Sequence, residues 1–83
     1  MDELLIYSTD WCPDCRNLKR FLDGEGVDYR EINIDDDPDA AEELVDATGK
    51  RGIPYMRVGE LWIKGYPLDA GAFRLKLKEL KLL

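Results

Sequence analysis

Both cysteines of this 83-residue chain lie in one short stretch, Trp11-Cys12-Pro13-Asp14-Cys15. Two sulfurs three residues apart can close a tight disulfide, and a helix that starts between them stabilises the first sulfur as a thiolate. The alternative is a pair of ordinary buried thiols, because a free cysteine packs as a small hydrophobe. The spacing, directly after an apolar run, favours a redox motif.

The composition is that of one small globular domain, which we expect to span residues 1–83. The net charge of −6 argues against a nucleic acid partner. No apolar run reaches the roughly 18 residues of a membrane span, and the acidic start Met1-Asp2-Glu3 is unlike a signal peptide. We therefore expect a monomer in the cytoplasm with no membrane partner, where a lone cysteine pair has a redox or metal role.

The residues around the cysteines predict a strand followed by a helix. Residues 3–8 carry a continuous apolar run, which is typical of a strand buried on both faces. Pro13 suits the first position of a helix, since its missing N–H would have no partner there anyway. Gly24 and Gly26 end this helix. Its apolar positions recur at helical spacing, at Cys15, Leu18, Phe21 and Leu22.

Further elements follow, each with its own boundary signals. They are a strand over residues 27–34, a helix that starts at Asp37-Pro38 and stops at Gly49, and strands over 54–58 and 61–64 joined by the turn Gly59-Glu60.

The last segment, residues 70–83, is open between strand and helix. Alternation of Phe73, Leu75 and Leu77 with basic residues is typical of a strand, whereas Phe73, Leu77 and Leu80 match helical spacing. We favour a helix because the segment has no β-branched residue. The order is then β-α-β-α-β-β-α, an α/β fold with three helices and a four-stranded mixed sheet whose first two strands run parallel.

Three places in this order resemble the thioredoxin fold at glutaredoxin size. They are the cysteine motif at 11–15, Gly52-Ile53-Pro54 before the third strand, and Lys64-Gly65-Tyr66-Pro67 after the fourth. Over nearly the whole chain they are similar to a glutaredoxin-like redoxin, nearest to the mycoredoxins and to the redoxins that serve ribonucleotide reductase. The resemblance implies a thiol-disulfide oxidoreductase.

The helix start gives each cysteine a separate role. At the N-terminal end, unpaired N–H groups and the helix dipole favour a thiolate, so we expect Cys12 to be the nucleophile. Arg16, one turn on, and Lys50-Arg51 across the site add positive charge. Cys15 lies in the first turn and is the expected resolving thiol. The chain has no histidine, which excludes a Cys-His protease mechanism.

Two carboxylates complicate the charge around Cys12. Asp10 lies two residues before it and Asp14 lies between the sulfurs. We expect both to destabilise the thiolate and to make the pair a more reducing couple than in a typical glutaredoxin. The alternative is that Asp14 is a favourable helix N-terminal charge without redox consequence.

The resemblance also implies a substrate-binding surface. We expect a cis peptide bond at Ile53-Pro54, with the backbone of Ile53 pairing with a substrate chain as an added strand. The alternative is an ordinary trans proline that starts an edge strand. Gly65 is expected to let a bound peptide approach closely, and Trp62 to pack on the sheet. The expected substrate-binding residues are Trp11, Pro13, Arg16, Arg51, Ile53, Pro54, Gly65 and Tyr66.

The electron donor is open between two classes. Glutaredoxins hold glutathione with acidic residues after two glycines, whereas this chain has Pro67 at the expected acid and Asp69 beyond it. The run Gly65-Tyr66-Pro67 is more similar to redoxins that thioredoxin reductase recycles. We expect no tightly bound cofactor, a disulfide-containing protein as substrate, and thioredoxin reductase or glutathione as reductant, the latter as a co-substrate.

Two other function classes are compatible with the cysteine pair. A metal-binding module for zinc or an iron-sulfur cluster would need an external partner, since two cysteines are half of a four-coordinate site. A structural interaction domain would carry an inert disulfide. We expect no metal site within the chain.

Overall fold

The computed structural model describes residues 3–83 and has the predicted order of elements. Four strands form one mixed sheet in the order β2-β1-β3-β4. The strands are β1 (Leu4–Ser8), β2 (Arg30–Asn33), β3 (Tyr55–Val58) and β4 (Leu61–Lys64), and the helices are α1 (Pro13–Gly24), α2 (Pro38–Thr48) and α3 (Ala70–Glu79).

The central strand β1 pairs on both sides. It runs parallel to β2, with Ser8 opposite Asn33, and antiparallel to β3, with Tyr7 opposite Tyr55. β4 pairs antiparallel with β3 through a two-residue turn in which Gly59 has a φ of 61°, a value that favours glycine. The predicted parallel pair and the predicted hairpin are both confirmed.

Successive residues of β1 point to opposite faces of the sheet, because side chains alternate along a strand. Leu4 and Ile6 face α1 and α3, where they pack with Leu18, Leu22, Val27, Met56, Phe73 and Leu77. Tyr7 faces α2, where it packs with Ile34, Ala40, Ala41 and Leu44. The continuous apolar run of β1 is therefore explained by burial on both faces.

The helix boundaries follow the predicted capping residues. Pro13 is the first residue of α1, and Cys12 is its N-cap. The carboxylate of Asp37 accepts a hydrogen bond from the N–H of Ala40 at the start of α2. Gly49 ends α2 with a φ of 87°, the left-handed conformation typical of a glycine C-cap.

Several boundaries differ from the sequence expectation. β2 occupies residues 30–33 rather than 27–34, because Val27 accompanies α1 into its cluster and its N–H donates to Leu22 O at 3.0 Å. α3 is a helix, as favoured, but it ends at Glu79 rather than running to residue 83, and Lys81 then has a φ of 61°. The peptide bond at Ile53-Pro54 is cis as predicted; that at Tyr66-Pro67 is also cis and was not predicted. Among the described residues, no helix is both long and apolar enough to cross a membrane.

Candidate active site

The functional segments meet at one end of the sheet, where β1 and β2 finish. β1 and β2 end there because they are parallel, and β3 begins there because it is antiparallel to β1. β4 returns to the same end, where the N–H of Gly65 donates to Pro54 O at 3.0 Å. The sheet topology therefore brings the cysteine loop, the end of β2, the Ile53-Pro54 step and the loop after β4 to one place.

Cys12 occupies the N-cap of α1. Its sulfur accepts a hydrogen bond from the backbone N–H of Cys15 at a distance of 3.2 Å. The N-terminal end of a helix carries unpaired donors and a positive partial charge, both of which favour a negative sulfur. Only 5% of Cys12 is exposed, whereas its neighbours Trp11 and Pro13 are exposed. The sulfur therefore lies at the positive end of α1, just beneath two exposed neighbours.

Cys15 lies in the first turn of α1, three residues after Cys12, and is fully buried. Burial, and then a hydrogen bond with the Cys12 side chain, raise the pKa of Cys15 from 9.0 to about 12. The two thiols are not bonded to each other in this structure. Cys15 is thus held as a neutral thiol next to the sulfur that it would attack, which is the arrangement expected of a resolving cysteine.

Two buried hydroxyl groups lie at the end of β1, directly before the cysteine loop. Ser8 and Thr9 are 0% and 1% exposed, and neither hydroxyl has a hydrogen-bond partner within the described residues. A buried hydroxyl without a partner costs about 1–3 kcal/mol. These unpaired hydroxyls are not predictable from the sequence, since nothing local distinguishes an unpaired serine or threonine from a paired one.

The predicted basic side chains lie near the site, but their partners are oxygens. Arg16 is exposed, and its Nη2 donates to the carbonyl of Asp10 at 3.4 Å. Arg51 is exposed and faces the carboxylate of Asp35, with Nη2 at 3.9 Å from Oδ1. The added positive charge expected at Cys12 from these residues stays a prediction, as does the redox effect of Asp10 and Asp14.

Trp11 stands on the outer surface beside Cys12, with 66% of the residue exposed. Its indole Nε1–H donates to Asp35 Oδ2 at 2.8 Å. Asp35 follows β2 and was not identified from the sequence, where nothing local distinguishes it from the neighbouring Asp36. Trp62 differs, because it packs against Tyr7 and Tyr55 on the sheet, with ring centroids 5.0 Å and 6.3 Å apart.

The loop around the cis proline is packed against the loop after β4. Pro54 is buried, and a methyl group at Gly65 would lie 2.9 Å from both Pro54 O and Leu18 Cδ2. A methyl group at Gly52 would overlap the hydroxyl of Tyr66. The structure therefore gives both glycines an internal reason for lacking a side chain, and a role for Gly65 toward a substrate stays a prediction.

The described residues contain no group of three or more cysteine, aspartate or glutamate side chains that could hold a metal ion. A zinc or iron-sulfur site on Cys12 and Cys15 would need ligands from outside the described chain.

Comparison with known proteins agrees with this geometry. The family model described as glutaredoxin matches residues 4–63. The chain belongs to the glutaredoxin family. It is 37% identical over 65 residues to a glutaredoxin of Pseudomonas aeruginosa, covering 78% of this chain and 77% of that one. It is 39% identical over 61 residues to mycoredoxin 1 of Corynebacterium glutamicum, covering 72% and 75%.

A solved structure extends the likeness to three dimensions. The glutaredoxin-like NrdH-redoxin of Escherichia coli, described as having a thioredoxin-like activity profile, superimposes with a TM-score of 0.72. The two sequences are 36% identical, and the alignment covers 88% of this chain and 93% of that one. The predicted family and the predicted thioredoxin fold are both confirmed. Membership places the chain among the thiol-disulfide oxidoreductases of the glutaredoxin type.

Proposed function

We propose that this glutaredoxin-family protein reduces disulfides by a two-step exchange between Cys12 and Cys15. The observation that carries the proposal is the contrast between the two sulfurs. Cys12 accepts a backbone hydrogen bond at the start of α1, which stabilises a thiolate, whereas burial and Cys12 raise the pKa of Cys15 to about 12. One sulfur is therefore prepared to attack, and the other is held in reserve as a thiol.

The first step is attack by the Cys12 thiolate on one sulfur of the substrate disulfide. A Cys12–substrate disulfide forms, the original S–S bond breaks, and the second substrate sulfur leaves as a thiolate that takes up a proton. Cys15 then loses its proton and attacks the Cys12 sulfur. The Cys12–Cys15 disulfide forms and the first substrate sulfur leaves, so the substrate gains the two electrons that the cysteine pair loses.

The substrate would dock at the end of the sheet that carries the cysteine loop. Ile53 precedes the buried Pro54, and the register of β1 and β3 places this step beside the end of β1. The backbone of Ile53 would pair with an extended substrate segment, with Trp11, Pro13 and Arg16 exposed around Cys12. This favours a disulfide within a protein as the natural substrate.

The electron donor that we propose is a thioredoxin reductase, with glutathione as the competing donor. Two observations support this order: the likeness to the NrdH-redoxin with its thioredoxin-like activity profile, and a proline at residue 67, where glutaredoxins carry an acid that holds glutathione. The protein would work in the cytoplasm as a monomer, without nucleic acid, membrane or a tightly bound cofactor.

The test is reduction of insulin disulfides with two donor systems in parallel. One contains NADPH and thioredoxin reductase, and the other contains NADPH, glutathione and glutathione reductase. We expect turnover in the first system, loss of turnover in the variant Cys12→Ser, and a mixed disulfide on Cys12 detectable by mass spectrometry in Cys15→Ser. Turnover by Cys12→Ser, or no turnover by the unaltered protein in either system, would refute the proposal.

A further inference from the structure

One carboxylate connects three segments at the edge of the candidate active site. Asp35 Oδ2 accepts the hydrogen bond of the Trp11 indole at 2.8 Å, and Asp35 Oδ1 faces Arg51 Nη2 at 3.9 Å. Trp11 belongs to the cysteine loop, Asp35 to the end of β2, and Arg51 to the loop before the cis proline. These segments are far apart in sequence, and the Asp35 carboxylate contacts the other two through Trp11 and Arg51.

Asp35 is itself held in place. Its backbone N–H donates to Asn33 Oδ1 at 2.9 Å, which forms a local turn directly after β2. The carboxylate therefore starts from a backbone that is anchored to the sheet. The exposed position of Asp35 does not make it a free side chain.

The three consecutive aspartates have different roles. Asp37 caps α2 through the N–H of Ala40. Asp36 is exposed and has neither of the contacts that Asp35 makes with Trp11 and Arg51. The run of three aspartates thus contains one capping residue, one solvent-facing residue and one residue that contacts the cysteine loop.

The hydrogen bond to Asp35 bears on the orientation of Trp11. The residue is 66% exposed, so little protein packing surrounds it, and its indole N–H is bonded to the Asp35 carboxylate. Trp11 directly precedes Cys12, the N-cap of α1. A tryptophan fixed beside a nucleophile presents a large apolar face at little further entropic cost when a partner binds.

We propose that Asp35 is a positioning residue for substrate docking: it holds the Trp11 ring beside Cys12 as the apolar wall against which a polypeptide disulfide binds. The Arg51 guanidinium, which faces the Asp35 carboxylate, offsets the negative charge that Asp35 would otherwise present to a partner beside Cys12. The inference rests on the proposed reductase function, and it names a polypeptide disulfide as the preferred substrate because the exposed Trp11 residue adds apolar contact area beside Cys12 that a longer partner can cover.

The kinetic test uses insulin as the polypeptide disulfide and 5,5′-dithiobis(2-nitrobenzoate) as the small one. In Asp35→Ala we expect the KM for insulin to rise about three- to tenfold, the size of the net contribution of one hydrogen bond, and to rise more than the KM for the small disulfide. Asp35→Asn keeps an oxygen acceptor for the indole and should recover most of the insulin KM. Asp36→Ala is the matched control and should leave both KM values unchanged.

A second measurement follows the ring directly. In a Trp62→Phe background Trp11 is the only tryptophan, so acrylamide quenching and fluorescence anisotropy report its mobility. We expect Asp35→Ala to lower the anisotropy and increase quenching, and Asp36→Ala to change neither. Equal values for Asp35→Ala and the Trp62→Phe parent, or an insulin KM that moves equally in Asp36→Ala, would overturn the inference. If the unaltered protein reduces neither disulfide, the proposed function fails, while the fluorescence still decides whether Asp35 holds Trp11.

Discussion

Beneath α1 and α3 the fully buried layer is apolar, with Tyr29 partly buried against it, whereas beneath α2 the buried layer includes the hydroxyl of Tyr7. That hydroxyl donates to Glu43 Oε1 at 2.8 Å and accepts from Arg57 Nη1 at 3.1 Å. Arg57 also pairs with Glu43 at 2.9 Å, and its guanidinium lies 4.8 Å from the centroid of the Trp62 ring. One face is closed by burial, and the other by burial plus a charged network.

The two faces also differ in which ionisable groups have shifted pKa values. Burial raises the pKa of Tyr7, while hydrogen bonds from Tyr7 and Arg57 lower the pKa of Glu43. Both shifts lie on the α2 face. The helix that carries the cysteines packs on the other face, where the perturbed group at the site is Cys15 itself. On this face burial also raises the pKa of Tyr29, but the Tyr7–Glu43–Arg57 network lies on the opposite face from the helix that carries the cysteines.

The largest expected effect is on the apolar face. Leu22 is fully buried in α1, and Leu22→Ala should lower the free energy of unfolding by about 2–5 kcal/mol through lost burial and a residual cavity. Urea denaturation monitored by circular dichroism measures this loss. Leu75→Ala is the control. Because Leu75 is 64% exposed, this substitution should lower the free energy of unfolding by about 0.5 kcal/mol or less. Equal costs for the two variants would contradict apolar closure of this face.

The next effect concerns the single perturbed group at the redox site. Burial is the largest cause that raises the pKa of Cys15, and it persists when Cys12 is in a mixed disulfide, so the thiolate fraction of Cys15 should rise about tenfold per pH unit around neutrality. Release of the substrate from the Cys12 mixed disulfide should therefore accelerate about a hundredfold between pH 6 and pH 8. Rapid-quench single-turnover assays measure this step. A flat profile would mean that Cys15 is not the group that must lose a proton.

A smaller effect is expected on the α2 face from Tyr7→Phe. The change removes the hydroxyl that joins Glu43 and Arg57 but leaves those two charges paired, so the loss of stability should be about 1–2 kcal/mol. Tyr55→Phe is a matched control, because Tyr55 lies opposite Tyr7 in the sheet and is only half-buried. Urea denaturation of both variants makes the comparison, and a larger loss for Tyr55→Phe would show that the network does not stabilise this face.

The smallest effect is the acid dependence of that network. The folded state lowers the pKa of Glu43 below 4.5, so its contribution to stability is present above about pH 4.5 and is lost as pH falls through the lowered value. Glu43→Gln should therefore lose less stability than the unaltered protein between pH 4.5 and pH 2.5. Since the Glu43 side chain is 49% exposed, the difference should be about 1 kcal/mol or less. Glu42→Gln is the control in urea titrations at each pH, and an identical acid profile for Glu43→Gln and the unaltered protein would exclude the network as its cause.

The local signals in the sequence were sufficient for most of the fold. Pro13 marked the start of α1, Gly49 the end of α2, and Gly59 the hairpin, because each of these conformations depends on the backbone chemistry of one residue. The position of the cysteine pair at a helix start was also predictable from the sequence, because Pro13 between the two cysteines favours the first position of a helix. The length of β2 and the end of α3 were less predictable, because Val27 packs with the α1 cluster and α3 is followed by a non-glycine residue, Lys81, in the left-handed conformation.

What the amino-acid order alone established is the element sequence and the contrast between an N-cap sulfur and a sulfur one turn inside. The long-range contacts came from the folded structure alone: the hydrogen bond between Asp35 and the Trp11 indole, Tyr66 against Gly52, and the Tyr7–Glu43–Arg57 network. These contacts join residues that lie between 14 and 50 positions apart. Local periodicity carries no information at such separations, and the sheet register that creates the contacts exists only once the chain has folded.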